Sequence, residues 1–167
     1  MIKTILFVCT GNTCRSAMAE GIFEKMLKES AEDNTRLNII SAGIFALSGI
    51  SPTSEAIKVM AEQGIDISQH IATQVQEDLV KRADLILVMS YAHKDYIATK
   101  YIFAQDKIHL IKEFAQISEF KSIKTTNENY EIVDPIDRPI EFYRIVAGEL
   151  KKNLEKILDK ILKENNK

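Results

Sequence analysis

Cys9 and Arg15 bracket five residues in the stretch VCTGNTCRS, which runs from Val8 to Ser16. The stretch follows the apolar run ILF and precedes AMAEGIFEKML, whose apolar positions have helical spacing. A loop passing from strand to helix, with Gly11 letting the backbone fold tightly, turns successive N–H groups inward. The positive end of the helix dipole adds to them. Such a concavity binds an anion of phosphate size. The nucleotide-binding pattern GxxxxGK[ST] is absent, because no lysine follows a second glycine. Arg15 stands in its place, with a planar fork suited to two phosphoryl oxygens at once. Inward N–H groups, a helix start and a guanidinium all favour thiolate over thiol at Cys9. A thiolate at the floor of an anion cradle attacks phosphorus in line and yields a cysteinyl phosphate. Thr10, Gly11, Asn12, Thr13, Cys14 and Ser16 complete the loop around that phosphate. Singly, Cys9 reads as a buried strand-end thiol, Arg15 as a surface helix residue and Asp134 as a turn former before Pro135. Their conjunction after an apolar strand favours chemistry.

The elements that must position these groups follow from apolar spacing. Four apolar runs are bounded by turn signals: Ile2 to Val8, Leu37 to Ile40, Leu85 to Met89 and Ile108 to Ile111. LILVM does not alternate polar with apolar residues, the mark of a strand buried on both faces of a parallel sheet. Between the runs, Ala19, Ile22, Phe23, Met26 and Leu27 share one helical face. Ala56, Val59 and Met60 share another, in a helix expected to take Ser51 as cap and Pro52 in its first turn. Ser90 is placed to cap a helix over Ala92 to Lys100, and apolar residues from Ile140 to Ile161 recur at three and four. The polar segment Ser118 to Val133 reads as a surface loop leading to Asp134. Strand and helix alternate, which predicts a doubly wound α/β domain with right-handed crossovers. Ligands of such sheets bind outside the carboxyl ends of the strands, where Cys9 lies.

The 167 residues are expected to form one domain, 1–167. Apolar residues at 46% and charged residues at 28% describe a globular protein, and a net charge of −2 gives no footprint for nucleic acid or an anionic membrane. No run approaches the roughly 18 apolar residues of a membrane span, and the N-terminal run is too short for a signal peptide, so a cytoplasmic location is expected. Cys9 and Cys14 in one loop read as chemistry and not as a disulfide framework in a reducing compartment. With His70, His93 and His109 they lack the paired spacing of a zinc site, and no metal is expected.

CTGNTCRSAMAE, SAG at Ser41 to Gly43, GIDISQH ending at His70, ADLILVMS and Asp134-Pro135 together resemble the low-molecular-weight protein tyrosine phosphatase family, in order and over essentially the whole chain. The resemblance implies an α/β fold of three layers, αβα, with a central four-stranded parallel sheet, phosphotyrosine protein phosphatase I-like, and no cofactor. It implies Cys9 as nucleophile, Arg15 as phosphoryl binder and Asp134 as the general acid that later activates water against the phosphocysteine. Asn12 and Ser16 match positions that shape the loop and hydrogen-bond the thiolate. Ser41 and His70 match an outer network that holds the asparagine. Cys14 matches a second cysteine that pairs with the nucleophile under oxidation. The partners implied are phosphorylated proteins, met by a monomer or weak dimer.

Thr13 stands where the tyrosine-specific branch commonly has an aliphatic residue, and CTGNTCRS is similar to the bacterial branch of protein-arginine phosphatases. A hydroxyl in the pocket wall pairs with an N–H of a phosphoguanidine, whereas an aliphatic side chain leaves that N–H unpaired at about 1 to 3 kcal/mol. After Asp134-Pro135, Ile136 and Asp137 replace the family's common aromatic wall, and Asp137 is expected to cap the last helix. Ala17 replaces a proline often found after Arg-Ser. Phosphoarginine in proteins is therefore the first substrate expected and phosphotyrosine the second. Arsenate reduction on the same fold needs further cysteines, and none follows Cys14. A phosphate carrier without turnover would have little need of Arg15 and Asp134.

Overall fold

Five consecutive apolar residues, Ile5 through Cys9, are buried in the first strand, β1 (Thr4–Cys9). A strand buried on both faces belongs at the centre of a covered sheet. The computed structural model, which describes residues 1–30, 37–116 and 129–165, places it there. β1 pairs in parallel with β2 (Asn38–Gly43) on one side and β3 (Leu85–Val88) on the other, and β4 (Ile108–Leu110) completes the order β2-β1-β3-β4.

Helices cover both faces. Ile5, Phe7 and Cys9 pack toward α1 (Arg15–Glu29), α2 (Ser54–Glu62), α5 (Ile111–Gln116) and α6 (Ile140–Asn165). Phe7 meets Phe23 edge to face, ring centres 5.8 Å apart. Leu6 and Val8 point the other way, toward α3 (Glu77–Arg82), α4 (Tyr91–Lys100) and the 3-10 turn Ile102–Lys107. The result is the three-layer αβα arrangement on a four-stranded parallel sheet.

Several boundaries differ from the sequence expectation. β2 does not stop at Ile40 but continues to Gly43, which brings Ser41 into the sheet, and Cys9 pairs in register with Gly43. The cap of α2 is Thr53 and not Ser51, because the Thr53 hydroxyl accepts the N–H of Ala56. Ser90 does cap α4, by accepting the N–H of His93. Asp137 does not adjoin α6. It takes a left-handed φ of 59° in the turn before Pro139, and the helix starts at Ile140. Of the loop expected over 118–133, residues 118–128 lie outside the described residues. Among the described residues, no helix is long and apolar enough to cross a membrane.

Candidate active site

The loop from Cys9 to Ser16 sits at the carboxyl end of the central strand, with α1 starting at Arg15. Its tight fold does not come from Gly11. Gly11 has no left-handed φ, and a Cβ there would meet nothing closer than the Thr13 hydroxyl at 3.5 Å. Asn12 takes the left-handed conformation instead, with φ of 57°. The position that needs a missing side chain is Gly43 of β2, where a Cβ would lie 2.5 Å from the carbonyl oxygen of Thr10 and 2.9 Å from the nitrogen of Asn12. The cradle is pressed directly onto the backbone of the neighbouring strand. Hydrogen bonds from Ile44 N–H to the Cys9 carbonyl (3.0 Å) and from Phe45 N–H to the Thr10 carbonyl (2.9 Å) fasten it.

Cys9 is buried, and its Sγ accepts the Asn12 N–H at 3.3 Å and lies 2.9 Å from the Ser16 hydroxyl. The Ser16 oxygen accepts from Asn12 Nδ2 at 2.8 Å, so its own proton is directed at Sγ or, at 3.4 Å, the Ala42 carbonyl. Asn12 is wholly buried, and every polar atom of its side chain is engaged. Nδ2 also donates to Ser41 Oγ at 2.9 Å, and Oδ1 accepts from Thr73 N–H at 2.9 Å and His70 Nε2 at 3.2 Å. His70 Nε2 lies 3.0 Å from the Asn12 carbonyl as well, and with two carbonyl oxygens before it this nitrogen is the donor. Ser41 in turn donates to Glu20 at 2.5 Å, and His70 Nδ1 lies 3.4 Å from the same carboxylate.

On the other side, Arg15 is buried, and its guanidinium donates to the Ile132 carbonyl at 3.0 Å and to Asp134 at 2.7 Å. Asp134 is 119 positions away and half exposed. Ile132 is itself fixed by a hydrogen bond from its N–H to the Met89 carbonyl at the end of β3. Among the described residues, the third donor nitrogen of Arg15, Nε, is buried without a partner. Thr13 is 8% exposed. Its carbonyl is tied to Thr53 N–H at 3.0 Å, and among the described residues its hydroxyl meets only the Cys14 sulfur, at 3.8 Å. Cys14 packs against Thr53 Oγ1 (3.5 Å) and Tyr143 OH (3.8 Å), and burial pushes its thiol up against the opposing effect of those hydrogen bonds. Burial also raises Tyr143, to about 12.

The structure thus brings Cys9, Thr10, Gly11, Asn12, Thr13, Cys14, Arg15, Ser16, Ser41, His70 and Asp134 to one end of the sheet. Sequence reasoning missed Glu20, Thr73, Ile132 and the link from Ser90, read there only as a helix cap, through His93, whose imidazole bonds the Thr10 hydroxyl at 2.8 Å. Glu20 had a faint signal, as an acid one turn into a helix that begins at an arginine. The others act through backbone groups or across the chain and leave no local pattern. Among the described residues, no group of three or more His, Cys, Asp or Glu side chains is arranged to hold a metal.

Known proteins share this sequence pattern and fold. Residues 4–167 match the family described as low molecular weight phosphotyrosine protein phosphatase. The protein-arginine-phosphatase of Bacillus subtilis is 31% identical over 160 residues, 96% of this chain and 97% of that protein. A probable low molecular weight protein-tyrosine-phosphatase, EpsP, of Ralstonia solanacearum is 45% identical over 116 residues, 70% of this chain and 75% of that one. The solved structure of the arginine phosphatase YwlE from Geobacillus stearothermophilus superposes with a TM-score of 0.82 at 33% identity, covering 97% of this chain and 94% of its own. A family match over nearly the whole chain, on a fold that seats a cysteine and an arginine in one strand-to-helix loop, makes this protein a member of the low-molecular-weight protein phosphatase family of cysteine-dependent hydrolases.

Proposed function

We propose that the chain hydrolyses phosphoarginine in proteins, with Cys9 as nucleophile, Arg15 as phosphoryl clamp and Asp134 as general acid and base. The observation that carries the substrate assignment is the Thr13 hydroxyl, which among the described residues meets only a sulfur at long range. A buried hydroxyl without an oxygen or nitrogen partner is disposed to bond a polar leaving group, and a guanidine N–H fits it where an aromatic ring does not. Support also comes from the unpartnered Nε of Arg15, a donor that a phosphoryl oxygen satisfies.

In the first step the Cys9 sulfur attacks phosphorus and the P–N bond breaks. Asp134 delivers a proton to the departing guanidine nitrogen, and the loop amides with Arg15 carry the charge on the phosphoryl oxygens. In the second step Asp134 takes a proton from water, which attacks the phosphocysteine. The S–P bond breaks, inorganic phosphate leaves, and the thiolate is restored. The Asn12 N–H and Ser16 hydroxyl at Sγ suit both the attacking and the departing anionic sulfur. This reading sets the reaction in the cytoplasm, where Cys9 and Cys14 stay reduced.

Phosphotyrosine is the second reading, favoured by the 45% identity to a probable tyrosine phosphatase. Comparing kcat/KM on phosphoarginine and phosphotyrosine peptides, for the wild type and Thr13→Ile, decides between them. The arginine reading expects the substitution to shift the ratio toward phosphotyrosine by roughly tenfold or more. An unmoved ratio removes the physical basis of the assignment.

A further inference from the structure

Thr10, directly after Cys9, has an exposed side chain that is nevertheless tied to the interior. Its hydroxyl lies 2.8 Å from Nε2 of His93, and Nδ1 of the same ring lies 2.9 Å from the Ser90 hydroxyl. The Ser90 oxygen also caps α4 by accepting the His93 N–H at 3.3 Å. The three side chains form one line from the end of β3 to the residue beside the nucleophile.

His93 is 3% exposed and belongs to none of the motifs that mark the loop. An imidazole bonded through both nitrogens has a fixed ring orientation, and hydroxyl partners serve either tautomer provided the ring is neutral. Burial above all, and next the positive charge of Arg15, hold it neutral by bringing its pKa down to about 4, against a smaller opposing influence from Asp134. The ring therefore sits within electrostatic reach of the Arg15–Asp134 pair while adding no charge to it near neutrality. Thr10 is thus anchored twice, by its carbonyl to Phe45 N–H and by its side chain to His93. Two anchors on one residue fix the peptide that joins Cys9 to the cradle.

We propose that His93 is a positioning residue for phosphoryl transfer: through Ser90 on one side and the Thr10 hydroxyl on the other, it sets the first turn of the anion cradle relative to the nucleophile. The inference rests on the phosphatase chemistry of the loop and is independent of the choice between phosphoarginine and phosphotyrosine. Misplacement of a reacting group by a fraction of an ångström is felt in the transition state more than in ground-state binding.

The test uses Thr10→Val, His93→Asn, their combination and His93→Gln. Asparagine keeps a polar atom near Ser90 and loses the reach to Thr10, whereas glutamine returns a polar atom to the place of Nε2. Turnover of p-nitrophenyl phosphate, orthovanadate affinity by calorimetry and thermal unfolding are measured for each. The expected result is a fall in kcat of roughly tenfold for Thr10→Val and for His93→Asn, with KM within about twofold and vanadate weakened by a similar factor. The double variant is expected to be no worse than the weaker single variant, and His93→Gln to recover most of the loss. Multiplying defects in the double variant, or glutamine as impaired as asparagine, overturns the proposal. So does a Thr10→Val enzyme with wild-type kcat and vanadate affinity, and this variant decides alone if the His93 variants unfold. If the wild type itself shows no turnover, the phosphatase reading of the loop falls, and the vanadate affinities judge the positioning role separately.

Discussion

Replacing Asn12 by alanine and, separately, by glycine divides what its backbone does from what its amide does. Both variants lose the four side-chain hydrogen bonds, to Ser16, Ser41, Thr73 and His70. The serine hydroxyls keep other partners and His70 Nε2 keeps the main-chain carbonyl of residue 12, but among the described residues the Thr73 N–H has no other acceptor. At about 1 kcal/mol for each bond not replaced, the common loss is of order 1 to 2 kcal/mol. Alanine also has to hold a φ of 57°, which adds about 1 kcal/mol that glycine does not incur. Urea unfolding should therefore rank the proteins wild type, Asn12→Gly, Asn12→Ala, with the last two about 1 kcal/mol apart at equal m-value. Turnover of p-nitrophenyl phosphate should fall at least tenfold in both, because the Ser16 hydroxyl loses the donor that directs its proton toward Cys9. Alanine as stable as glycine would refute the backbone half of the reasoning. A kcat within about threefold of wild type in either variant would refute the half about the amide.

Gly43→Ala forces a Cβ to within 2.5 Å of the Thr10 carbonyl, so β2 and the cradle must separate. Crystallography should show the loop displaced, and vanadate binding should weaken by at least roughly tenfold even if the protein remains folded. In rapid-quench measurements of the first step, Asp134→Asn should slow release of a poorly stabilised leaving group by roughly 100-fold or more while sparing the burst of p-nitrophenol, which departs with little protonation; steady-state turnover of both substrates falls, because hydrolysis of the phosphocysteine loses its base. Equal losses in the two bursts would remove Asp134 from the acid role. His93 is neutral in the folded protein down to about pH 4, whereas in the unfolded chain it gains a proton near pH 6.5. The unfolded state therefore binds more protons between those values, and stability falls as pH is lowered from 6.5 toward 4. At about 1.4 kcal/mol for each pH unit of the gap, His93 accounts for a loss of order 3 kcal/mol. Urea midpoints measured across that window should decline less steeply in His93→Gln, and parallel declines would contradict the assignment.

Much of the site could be read from residues alone because its chemistry is local. A thiol, a glycine, an asparagine and an arginine in one strand-to-helix loop are enough to infer an anion cradle, and the uninterrupted apolar run of LILVM is enough to infer a covered parallel strand. What escaped the sequence is what depends on distant partners. Asp134 acquires meaning from a guanidinium 119 positions earlier, and His93 from a threonine 83 positions away. The helices α3 and α5 span six residues each, too few for an apolar period to show. Gly11 misled for a physical reason: asparagine tolerates the left-handed region when its amide is fully bonded, so the glycine of the motif was not the residue under torsional demand.

The position of β1 between β2 and β3 bears on how activity first appears as the chain folds. One side of the central strand meets residues some 34 positions on, and the other waits for residues 80 positions on, as the pairs Thr4–Asn38 and Ile5–Leu85 record. Arg15 then waits longer still for Ile132 and Asp134. Such remote closures are entropically slow compared with winding α1 or α6. In a refolding time course helical circular dichroism should therefore recover ahead of enzymatic competence, and a ribosome-bound chain that has emerged only through its first two strands carries the thiol without the machinery to use it.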